Sequence, residues 1–212
     1  MATMLAFVLL VGIAMALYPG GTWLDPLAPG HDFLRNFFCD LTAPKALNGQ
    51  QNPGVVFARS GMMMLTLGLF PFWLLVTRLF AHARPRWANV VFVLGVLSTS
   101  AAMLVPLVSS QQYGILHPLL ILVAGVPGLL AGGLAAAALA MTKSAPRMAS
   151  MFALSTVLFV SVDGALYAAH VISGQAISSA WLPSLQKFAA MSLVAWMLAT
   201  AVASDRRGSA PS

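Results

Sequence analysis

Residues 114–141 read GILHPLLILVAGVPGLLAGGLAAAALAM, an apolar run with no Lys, Arg, Asp or Glu and a single His near its start. A helix needs about 20 such residues to cross a hydrocarbon core of roughly 30 Å, and this run exceeds that. It is also too uniformly apolar for a barrel strand, which alternates polar and apolar positions over about ten residues. A membrane-spanning helix is the reading left.

Five further stretches resemble it: 2–18, 55–79, 87–108, 151–172 and 181–203. Composition agrees, since the chain is 59% hydrophobic, only 8% charged and contains no Glu, too little polar surface for a water-soluble globule of this size. The fold class predicted is an all-α integral membrane protein, a six-transmembrane helical bundle in one membrane domain spanning residues 1–212. Its lone cysteine, Cys39, excludes an intramolecular disulfide. A second reading of the first stretch is a signal peptide, because Ala14-Met15-Ala16 has the small-x-small form of a cleavage signal, although no basic residue precedes the run.

The formal charge of +6 would suggest nucleic acid in a soluble domain, but here Lys and Arg are spread thinly between apolar runs, so no nucleic-acid partner is expected. Arg78, Arg84 and Arg86 follow the second stretch, Lys143 and Arg147 the fourth, and Arg206 and Arg207 the sixth. The connections 109–113 and 173–180 carry no Lys or Arg, and in the long loop 19–54 Arg35 and Lys45 face three Asp. The positive-inside rule then places both termini in the cytoplasm and the loop 19–54 outside.

Polar residues embedded in the spans gather at the outer end. Arg59 lies four residues into its span, His117 three and Lys187 six, while Asp163 and His170 lie nine and two residues from the outer end of theirs. Asp163, Tyr167 and His170 share one helix face. The inner halves offer hydroxyls such as Ser98 and Thr99. An intramembrane charge is costly, so Asp163 and Lys187 are expected to neutralise one another, or Lys187 to snorkel outward. In the first loop, Phe33, Leu34, Phe37, Phe38 and Leu41 fall on one helical stripe opposite Asp32, Arg35, Asn36, Cys39 and Asp40. That pattern predicts an amphipathic helix over 31–41, a lid between the turn-rich connectors 19–21 and 48–54.

The run Tyr18-Pro19-Gly20-Gly21, then Phe33 to Leu41 with its Asn36-x-x-Cys39-Asp40-Leu41 core, then Asn48 to Pro53, resembles the first-loop pattern of a bacterial membrane-protein family catalogued as domain of unknown function 998. That resemblance implies a multi-pass protein of the bacterial cytoplasmic membrane of similar length and brings no activity. More distantly, His, Asp and Ser near one face of a bundle is similar to the ceramidase and progestin-receptor-like superfamily of membrane hydrolases, which hold zinc on three His; the His-x-x-x-His pair of their last span is absent here.

Three function classes follow. One is a lipid-directed hydrolase with His31, His117 and His170 as zinc ligands, Asp163 or Asp40 as acid/base, and Arg59, Lys187, Arg35, Asn36 and Tyr167 as substrate contacts. In that reading interfacial histidines that merely hydrogen-bond are the plainer alternative. The second is a carrier or binding protein for a lipid or small molecule, with Asp163 and Lys187 as a protonation-sensitive gate. The third is a scaffold. Cys39 is expected to be a quiet thiol, since Asp40, adjacent on a helix, points about 100° away. Gly125, Gly128, Gly132 and Gly133 suggest close helix contact, and the two halves show no inverted repeat.

Overall fold

In the computed structural model the described residues are 1–173 and 180–208; the connection 174–179 lies outside them. The helices are α1 (Ala2–Leu17), α2 (Phe38–Thr42), α3 (Val55–Arg78), α4 (Pro85–Ala102), α5 (Ser110–Tyr113), α6 (Leu116–Ala140), α7 (Arg147–Ile172) and α8 (Leu182–Gly208), with a 3-10 turn at Val105–Leu107. Among the described residues there is no strand, only the isolated bridges Gly20–Pro29 and Lys45–Gln51. Five helices are long and apolar enough to cross a bilayer: α3, α6, α7, α8, and α4 with the 3-10 turn that continues it. The first stretch forms α1, which has 16 residues and is the short member.

Packing contacts link α3 to α4, α4 to α6, α6 to α7, α7 to α8, and α8 back to α3, a closed ring of five helices. α1 lies outside it against α3. Leu5, Val8 and Leu9 on α1, Leu122 and Val123 on α6 and Leu158 on α7 are exposed, as a lipid-facing perimeter requires. Lipid tails are as apolar as Leu, so close packing rather than water exclusion must hold the ring together.

Away from the first loop that packing is built on aromatic rings. The rings of Phe72 and Trp196 stand 4.9 Å apart edge to face, Trp73 and Trp196 6.3 Å, and Trp73 Nε1 donates to Thr99 Oγ1 at 3.1 Å. Gly95 on α4 lies so close to the Trp73 indole that any Cβ would overlap it. Of the glycines picked out on α6, Gly128 touches Ser98 and Gly132 approaches Val157, whereas a Cβ on Gly125 or Gly133 would meet open space. The tighter glycine seam is on α3, at a seven-residue spacing. A Cβ on Gly54 would fall 2.7 Å from Ala14 O, on Gly61 2.9 Å from Val11 Cγ2, and on Gly68 2.7 Å from Thr3 Oγ1. α1 can lie this close only because those side chains are missing.

The amphipathic helix expected over 31–41 is corrected. Only Phe38–Thr42 is helical, because the polar side chains before it bond to the backbone and compete with the helix. Asp32 Oδ1 accepts from the Leu34 and Arg35 amides at 2.9 and 3.2 Å, and Asn36 Oδ1 accepts from the Asp32 amide at 2.9 Å. The stripe is also divided, with Phe33 and Leu34 exposed and Leu41 buried.

Gly61→Val should lower unfolding stability in detergent by about 1–3 kcal/mol through overpacking of the α1–α3 seam. Gly125→Ala should leave the melting temperature unchanged or raised, and thermal unfolding of the two variants checks both.

Candidate functional site

The loop 19–54 folds as a cap over one end of the ring, tied down by asparagines. Buried Asn36 donates from Nδ2 to Gly21 O at 2.8 Å, and buried Asn52 donates to Leu41 O and Ala43 O at 2.8 and 3.0 Å. Tyr18 at the end of α1 accepts the Leu47 amide at 3.0 Å. The first turns of α8 then hold the cap from below. Ser184 Oγ donates to Leu34 O at 2.9 Å, Gln186 Oε1 accepts the Phe38 amide at 2.9 Å, and Lys187 donates to Asn36 O and, at 3.3 Å, to Pro183 O. Lys187 is 1% exposed, its ammonium 5.0 Å from the centre of the Phe38 ring and 5.5 Å from that of Phe33. Cation–π attraction is strongest in such a desolvated setting.

Asp40 is embedded in the same network. Its Oδ2 accepts from the Phe37 amide at 2.7 Å and from Asn36 Nδ2 at 3.3 Å, and its Oδ1 accepts from Trp23 Nε1 at 3.3 Å. Burial holds this carboxyl above the ordinary range, against the opposing pull of those hydrogen bonds and of the Lys187 charge. Burial, then the Asp40 charge, pushes the Cys39 thiol up to about 12, which makes it a poor nucleophile. A cavity of about 100 Å³ between cap and α5 is lined by Trp23, Cys39, Asp40, Lys45, Ser110 and Gln111, among others. Gln111 closes its wall by donating to Lys45 O at 2.9 Å. Arg35 is spent outside, in an exposed 3.8 Å ion pair with Asp32.

A second set of polar atoms lies on the ring helices near the cap. Arg59 donates from Nε to Thr42 O at 3.1 Å, but its Nη2 is buried without a hydrogen-bond partner. His117 is 5% exposed; its Nδ1 bonds Val108 O, a group that can only accept, so Nδ1 carries the proton. Nε2 of neutral His117 is then a bare acceptor, and it too is buried and unpaired. On α7 the same holds for Asp163 Oδ1. The expected pairing of Asp163 with Lys187 is not made: Lys187 is committed to the cap, and Oδ1 of Asp163 meets no donor. Around Asp163, residues 161–162 and 164–168 of α7 are exposed, Tyr167 among them at 45%, and a Cβ on Gly164 would meet open space.

The three histidines do not form one centre. His31 packs edge to face on Tyr18 in the cap, its ring centre 5.8 Å away, His117 bonds Val108, and His170 is half-buried near the end of α7. Among the described residues no group of three or more His, Cys, Asp or Glu stands close enough to hold a metal, so this donor set does not fit zinc. The chain matches no family model, no curated protein and no solved structure. Ser184 and Gln186 escaped the sequence reading, although both lie within one turn of Lys187.

Burial, then the Lys187 charge, lowers His31 to about 4 despite Asp32 nearby. The unfolded chain therefore takes up a proton that the folded cap refuses as pH falls from about 6.5 to about 4, and acid weakens the fold through this group. The melting temperature of the wild type should fall across that window relative to His31→Asn, and parallel curves for the two proteins would remove His31 as the cause.

Proposed function

We propose that this is a six-span protein of the bacterial cytoplasmic membrane, α1 supplying the sixth span and both termini facing the cytoplasm, which binds an amphiphile drawn from the outer leaflet. The orientation is supported by the distribution of Lys and Arg about the spans. Binding is supported above all by one observation: near the cap, α3, α6 and α7 each present a buried polar atom with no partner, Arg59 Nη2, His117 Nε2 and Asp163 Oδ1. Leaving a buried donor or acceptor unmade costs about 1–3 kcal/mol, and more for a charged group, so three such atoms on ring helices, two of them on the adjacent α6 and α7, point to partners that a ligand brings.

Their chemistry describes that ligand. The guanidinium asks for an acceptor such as a phosphate, while the imidazole nitrogen and the carboxyl oxygen ask for hydroxyl or amine donors. A lipid headgroup combines both kinds. The exposed outer half of α7 gives such a molecule a lateral way in from the bilayer. Hydrolysis is the weaker reading, because the histidines do not assemble and the oxygens of Asp40 already accept hydrogen bonds within the cap.

Protein extracted together with its surrounding lipid should retain a tightly held lipid through washing in lipid-free detergent, detected by native mass spectrometry. His117→Phe and Asp163→Leu should each reduce that retention roughly tenfold, in line with one lost buried hydrogen bond. Equal retention in wild type and both variants would contradict the reading.

A further inference from the structure

At the end of the ring remote from the cap the charge is one-sided. Towards the cap lie Arg35, Lys45, Arg59 and Lys187 beside Asp25, Asp32, Asp40 and Asp163, a balanced set. The other end carries Arg78, Arg84, Arg86, Lys143, Arg147, Arg206 and Arg207 beside the single Asp205, so the entire formal charge of +6 belongs to it. Arg78, Arg86, Lys143 and Arg147 are exposed there. The two turns that carry these cations are fixed to one another, since Ala81 of the α3–α4 turn and Ala145 of the α6–α7 turn pack on the same core cluster. Arg84 stacks its guanidinium 5.2 Å from the centre of the Trp87 ring, on the first turn of α4, and indoles at helix ends are common anchors to headgroups.

We infer that this rim is a docking surface for anionic phospholipid headgroups, gathered across the α3–α4 and α6–α7 turns by Arg78, Arg84, Arg86, Lys143 and Arg147. Topology asks only that basic residues lie on the connections of this side, in no particular arrangement. Here a pair of turns packed on one core concentrates them beside a tryptophan, and among the described residues none of the five forms an ion pair. Guanidinium groups suit the task because each can donate two parallel hydrogen bonds to one phosphate. Each cation at a membrane surface contributes roughly a fivefold gain in affinity for anionic lipid, so several acting together give a preference that is easily measured. This surface is independent of the polar atoms near the cap, and either proposal can fail without the other.

The test is a native mass spectrometry titration of the purified protein with phosphatidylglycerol and with phosphatidylcholine of the same acyl chains. Wild type should favour phosphatidylglycerol by roughly tenfold or more, and the preference should shrink as salt is raised. The triple variant Arg78→Gln, Arg86→Gln, Arg147→Gln alters exposed side chains only; it should lose the preference, whereas Lys45→Gln on the cap should keep it. Equal binding of the two lipids by wild type, or a preference that survives in the triple variant, would overturn the proposal. Loss of the preference in Lys45→Gln would do the same.

Discussion

The ammonium of Lys187 is buried, and the arrangement of the cap end of the molecule follows from how that demand is met. A bare charge inside a bilayer is expensive, and the ordinary remedies are a carboxylate or a long reach to water. Among the described residues Lys187 has no salt bridge, and it is not exposed. It is met by the carbonyls of Asn36 and Pro183 and by the faces of Phe33 and Phe38, with the Asp40 charge nearby. Those groups come mostly from the loop 19–54. Satisfying the lysine therefore fixes the loop over the ring, and the asparagines, Tyr18 and Gln186 complete the attachment.

Two kinds of polar residue separate on this view. Asn36, Asp40, Asn52 and Lys187 have found partners and build the cap. Arg59, His117 and Asp163 each retain an atom that is buried and unmatched among the described residues, as do His31 in the cap and Trp196 and Thr200 on α8. The two ends of the ring also differ in composition. The aromatic cluster of Phe72, Trp73 and Trp196 lies away from the cap, where small residues let the helices close, while the polar groups lie nearer the cap.

Much of the fold was legible because a membrane leaves few options. The 114–141 run, with no charge, could only be a spanning helix, and the helix boundaries of α3, α6 and α8 lie within one or two residues of the apolar stretches at their outer ends. α1 is marginal for the reason its sequence already displays, a run near the lower length limit. The cap was misread as one helix because hydrophobic spacing at 31–41 is helical, while the competing Asp32 and Asn36 hydrogen bonds depend on distances that periodicity does not encode. The site residues divide in the same way. Which polar groups meet depends on helix neighbours, so the sequence points Lys187 to Asp163 or to the interface, whereas it bonds backbone carbonyls, one of them 151 residues earlier in the chain.

Cys39 offers a direct probe of the constraint on which all this rests, being the only thiol in the chain and lying beside Asp40 within the cap. The decisive measurement is the rate at which a maleimide reacts with Cys39 in detergent-solubilised wild type and in Lys187→Met, which keeps the side-chain length and removes the charge. If Lys187 holds the cap, labelling should be slow in wild type and roughly tenfold faster in the variant, as expected for losing a hydrogen bond from a charged group worth about 1.5–3 kcal/mol, with helical content unchanged. Equal rates in two equally folded proteins would show that the cap stands without Lys187 and would contradict the account.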